Sequence, residues 1–110
     1  MTANEIIRKL RAGLLDNPGE LADYLVQLSA SLSTGGQMEV EAKVSYAQKW
    51  QELRPLCKSD KQCDMRTMGT DEYRIMQMAQ FNNKTLIECI RSLKKKLGQL
   101  QEEMREGQNY

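Results

Sequence analysis

Histidine is absent from the chain. Its absence removes the commonest general base near neutral pH and the commonest zinc ligand together, which argues against hydrolytic and metal chemistry. Cysteine is scarce and odd in number. Cys57, Cys63 and Cys89 leave at least one thiol unpaired, and their spacing matches neither a disulfide framework nor a zinc pattern. Asp60 and Asp64 lie one turn apart if their segment is helical, but paired carboxylates at a surface turn are usually solvated rather than catalytic. No phosphate-binding glycine loop and no familiar nucleophile motif occurs. The chain is therefore expected to have no enzymatic activity, cofactor or metal.

A long apolar run is also missing. The opening "MTANEIIRKL" is interrupted by Glu5, Arg8 and Lys9 and reads as neither a signal peptide nor a membrane span. With the unpaired thiols, that gives the expectation of a cytoplasmic protein with no membrane partner. Charge of one sign is lacking too. Sixteen basic side chains face fifteen acidic ones, and the balance is local: 3 against 4 over residues 1–36, 6 against 5 over 37–70, 7 against 6 over 71–110. A dedicated nucleic-acid binder usually gathers its positive charge into an arm or patch, so only a local footprint is open to this chain.

What remains, in 110 residues with two prolines, is rich in Leu, Met, Gln, Glu, Lys and Arg, the composition of a helical protein of one domain. Thr2 followed by Glu5 is a capping box, and Ile6, Ile7, Leu10 and Leu14 form an apolar stripe behind it. Gly13 and "DNPGE" end that helix and start the next, with Asn17 as cap and Pro18 at the first helical position. Leu21, Tyr24, Leu25, Leu28 and Leu32 then recur at steps of three and four. The spacing predicts a helix over 18–33, broken at "STGG" by Gly35 and Gly36. A third helix runs from Gln37 to Leu53, with Val40, Val44 and Ala47 on one line, Tyr46, Trp50 and Leu53 on its neighbour, and one side well buried. Pro55 ends or kinks it. The polar stretch 56–69 reads as loop, short helix or continuation beyond a kink.

Thr70 caps the last helix, with Asp71 and Glu72 where the helix dipole favours negative charge. From there to about Glu106 a heptad places Met76, Asn83, Ile90, Leu97 and Met104 at a, and Ala79, Leu86, Leu93 and Leu100 at d. Ile87 and Cys89 widen the apolar face. At 1.5 Å per residue the helix spans roughly 50 Å, and its apolar length needs a partner. The expected fold is all-α: a helical hairpin over 1–34, then a longer antiparallel, coiled-coil-like helix pair over 37–106.

Three surfaces carry the functional expectations. Leu86, Ile90, Leu93, Leu97 and Leu100 read as a seam for a partner or a homo-oligomer. Met65, Met68, Met76 and Met78 form an adaptable face for a protein partner. Arg91, Lys94, Lys95 and Lys96, in "RSLKKKLGQLQEEMRE", are candidates for contact with single-stranded nucleic acid. The lysines fall at e, f and g, with Glu102, Glu103 and Glu106 following and no aromatic interleaved for base stacking. The solvated side of a helix is the favoured reading. Asn83 at an a position either meets a buried polar group and sets register, or marks a point where the helix emerges.

Over residues 40–106, "EAKVSYAQKWQELRPLCKSDKQCDMRTMGTDEY" followed by "NKTLIECIRSLKKKLGQLQEEM" resembles, in organisation, small all-helical orphan proteins of phage and prophage early regions. That resemblance implies a role in recombination, replication or defeat of host defence. A recombination mediator that oligomerises on single-stranded DNA and a small inhibitor of a host nuclease are two forms of it. The balanced charge departs from acid-rich DNA mimics.

Overall fold

The computed structural model of the chain describes residues 2–13 and 17–108. Among them are four helices and no strand: α1 (Ala3–Arg11), α2 (Pro18–Leu53), α3 (Asp60–Thr67) and α4 (Asp71–Gln108), with a 3-10 turn at Arg54–Leu56. The fold is all-α, a small bundle built on long helices. It divides into two compact units, one of residues 1–33 and 85–110, the other of residues 34–84.

In the first unit the capping box closes as its residue types require. Thr2 Oγ1 accepts from the Glu5 amide, and the Glu5 carboxylate accepts from the Thr2 amide. Gly13, at φ +70, turns the chain out of α1 in a conformation that a Cβ would strain. Leu14 lies outside the described residues. Asn17 Oδ1 accepts from the amides of Gly19 and Glu20 and so starts α2. Ile6, Leu21, Leu28 and Leu93 are fully buried, joined by Tyr24, Cys89 and Ile90. Each fully buried aliphatic side chain stabilises the unit by about 2 kcal/mol, so this cluster is its main cohesive term.

The second unit is an antiparallel pairing of α2 and α4, closed at one end by the connector 54–70. Asn83 of α4 bonds to Gly35 of α2, while Tyr73 sits against Tyr46 with ring centroids 5.8 Å apart. Rising numbers on α2 therefore meet falling numbers on α4. The stretch 56–69, open on sequence grounds, is a 3-10 turn followed by the two-turn α3. Ser59 caps α3 by accepting from the Gln62 amide.

Two expectations are corrected here. Gly35 and Gly36 do not break the helix: α2 is continuous from Pro18 to Leu53. Two interior glycines cost about 2 kcal/mol relative to alanine, less than the packing on either side of them returns. Gly35 serves sterically rather than as a hinge, since a Cβ there would fall on Asn83 Oδ1. The line Val40, Val44 and Ala47 also faces outward, Val40 being 62% exposed. The inward series is Gly35, Glu39, Ala42, Tyr46, Lys49 and Leu53, at steps of four and three.

Candidate functional site

The three expected surfaces have different fates. Ile90 and Leu93 are buried in the core of the first unit, and Leu86, Leu97 and Leu100 pack partly buried against it. That seam is filled from within the chain by α1 and α2. It stops short of Met104, which is exposed, and Ile87 also remains on the surface. Arg91, Lys94 and Lys95 are exposed and Lys96 is half-buried. No carboxylate within ion-pair distance of these four is found among the described residues.

The methionines divide. Met76 is buried at its a position beside α2 and so drops out of an exposed face, whereas Met65, Met68 and Met78 are each more than half exposed. Sequence reasoning missed Phe81, the only phenylalanine, which is 69% exposed on α4. The signal was present, because Met78 and Phe81 lie three apart on the arc opposite Met76, Ala79 and Asn83. They line a shallow recess with Tyr73, Arg74, Gln77 and Asn82.

Beneath this surface the second unit is held by polar contacts of specific geometry. Asn83 Nδ2 donates to the Gly35 carbonyl at 2.8 Å and to Glu39 Oε1 at 3.0 Å. The buried asparagine therefore has matching groups, as the register-setting alternative required. Glu39 also meets Lys43 Nζ at 2.9 Å; the ammonium first, and the Asn83 amide second, hold its carboxyl below the ordinary carboxylate value.

In the connector, Trp50 Nε1 donates to Asp64 Oδ1 at 2.7 Å and Arg54 pairs with Asp60 at 2.7 Å. Of the two aspartates weighed as a catalytic pair, Asp64 thus fastens α3 to α2 and Asp60 fastens it to the 3-10 turn. Cys63 is fully buried, with its thiol 3.3 Å from the Trp50 carbonyl; burial pushes that thiol up and keeps it in the unreactive, protonated form. Among the described residues no group of three or more cysteine and carboxylate side chains converges on a point that could hold a metal ion. None of the helices among them is long and apolar enough to cross a membrane.

With the geometry in hand, comparison with known proteins adds no relative: no family model, no curated protein and no solved structure matches the chain.

Proposed function

We propose that the chain is a non-enzymatic helical interaction protein that binds a protein partner through the outward arc of α4 around Met78 and Phe81. The observation that carries this reading is the exposure of the chain's only phenylalanine beside an exposed methionine, directly opposite a filled helix seam. Covering one such aromatic ring gains about 2 kcal/mol, and methionine adapts its shape to what it meets. Arg74 at the edge of the recess adds a residue type enriched at protein interfaces. The resemblance to phage early-region proteins supports a partner belonging to a nucleic-acid or host-defence machine, a nuclease under inhibition included. Self-association through the leucines of α4 becomes the lesser form of this reading, because Ile90 and Leu93 already have neighbours within the chain.

The test is site-specific photocrosslinking in cells, with the crosslinking residue at position 81 and, as control, at the exposed position 104. A discrete protein adduct at 81 and none at 104 is the expected result. Adducts of equal yield at both positions would sink the assignment of this face.

One observation favours a second reading. Arg91, Lys94 and Lys95 are exposed and have no ion-pair partner among the described residues, which suits weak contact with single-stranded nucleic acid. Three phosphate contacts would give a log affinity falling with log salt at a slope of about −2. Binding of a short labelled oligonucleotide that ignores salt, or survives Arg91→Glu with Lys95→Glu, would exclude it.

A further inference from the structure

Within the second unit, α2 and α4 line a groove of about 470 Å³ that shares no lining residue with Phe81's recess. Met38, Ala42 and Ile75 supply its apolar surface. Its charged residues are Glu41, Glu52, Asp71 and Glu72 against a single Lys49. Lys49 already lies 3.6 Å from Glu52, and Asp71 lies 3.6 Å from Arg74. Glu41 and Glu72 have no cation at ion-pair distance among the described residues, so the groove keeps unbalanced negative charge beside apolar surface.

From this pairing of an apolar floor with an acidic rim, we infer that the groove docks a cationic amphipathic helix of a partner protein. An apolar row at i, i+3 and i+4 would lie on Met38, Ala42 and Ile75, and lysines or arginines flanking that row would meet Glu41 and Glu72. An acidic or neutral helix would leave those carboxylates facing like charge or losing water without compensation. The charge therefore selects the occupant as well as admitting it. Met38 and Ile75 are each more than half exposed, so neither is committed to the fold. The inference rests on the interaction-protein reading but uses a different surface, and the two fail separately.

The experiment is fluorescence anisotropy with three labelled peptides of about 14 residues, some four helical turns: an amphipathic Leu/Lys helix, its Leu/Glu counterpart, and the Leu/Lys composition shuffled to destroy the apolar row. The amphipathic Leu/Lys peptide should bind the intact protein, and the other two at least about tenfold more weakly. Glu41→Gln with Glu72→Gln, which keeps side-chain shape, should weaken it about tenfold and flatten the dependence on salt. Ile75→Ser should weaken it without changing that dependence. Met78→Ser with Phe81→Ser should leave it unchanged. Equal binding by the carboxamide variant, or by the shuffled peptide, would overturn the proposal. So would a protein that occupies the groove with a second copy of itself, seen as a solution mass that falls to the monomer only in the Glu41→Gln, Glu72→Gln variant. Loss of peptide binding in the Met78, Phe81 variant alone would move the site to Phe81's recess.

Discussion

Asn83 reaches across from α4 to the backbone of α2 at Gly35, 2.8 Å from its carbonyl, and only a residue without a Cβ lets it do so. Two neighbouring glycines of one helix therefore play opposite parts. At Gly36 a Cβ would meet open space.

Alanine at Gly36 should stabilise the protein by about 1 kcal/mol, the helix-propensity gain. Alanine at Gly35 should destabilise it by about 1–3 kcal/mol, because displacing Asn83 strands a buried amide and overpacks the contact, which outweighs the same gain. In an Asn83→Ala background the Gly35→Ala change should turn stabilising. Urea unfolding of the four variants measures this; equal effects at 35 and 36 would contradict the steric role.

Glu39 yields a pH dependence with a definite sign. Its carboxyl is held below the ordinary value of 4.5, first by Lys43 and then by Asn83. The stability it contributes is therefore fully present above that ordinary value and is lost as pH falls through the lowered one. Glu39→Gln should flatten this part of the acid unfolding limb. An acid limb of unchanged steepness in the variant would show that the carboxylate is not coupled to folding.

The indole of Trp50 and the carboxylate of Asp64 join α2 to α3 at 2.7 Å. Asp64→Ala should cost about 1 kcal/mol, while Asp64→Asn, which keeps an acceptor oxygen, should cost less than half of that. Chemical denaturation followed by tryptophan fluorescence reads both. If both variants match the parent protein, the connector is held by Arg54 and Asp60 instead.

Leu93 and Met104 sit on the same heptad pattern but in different surroundings, one fully buried and the other exposed. Leu93→Asp should abolish folding, since an unpaired buried carboxylate costs more than a small domain has to lose. Met104→Asp should change stability by no more than about 0.5 kcal/mol. Circular dichroism melts separate the two. A Leu93→Asp protein that stays folded and changes only its mass would mean that the seam lies between chains.

The helix ends were legible because they depend on local chemistry. Thr2 with Glu5, Asn17 with Pro18, and Thr70 before Asp71 each satisfy orphan amides with neighbours in sequence. The break at "STGG" was misread because glycine's local cost is visible in sequence, whereas its use as space for Asn83, 48 residues away, is not. Counting sevens would have helped: Leu21, Leu28, Gly35 and Ala42 continue one series through the glycines. Val40 and Val44 differ for a related reason: apolar character does not by itself mean burial, and α2 presents both to solvent. Among the candidate surfaces, the leucine seam was legible as a packing face, but periodicity does not say whether the neighbour belongs to the same chain. Phe81 belongs to neither the a nor the d series of α4, and its exposure follows from the opposite arc, where Asn83 meets α2.

The most direct test of the account compares partner retention and thermal stability in the Met78→Ser, Phe81→Ser variant and the parent protein. The account predicts an unchanged melting temperature and loss of the protein that crosslinks at position 81. A variant that retains that protein, or one that unfolds, would contradict it: the first would place the working surface elsewhere, and the second would return Met78 and Phe81 to the fold.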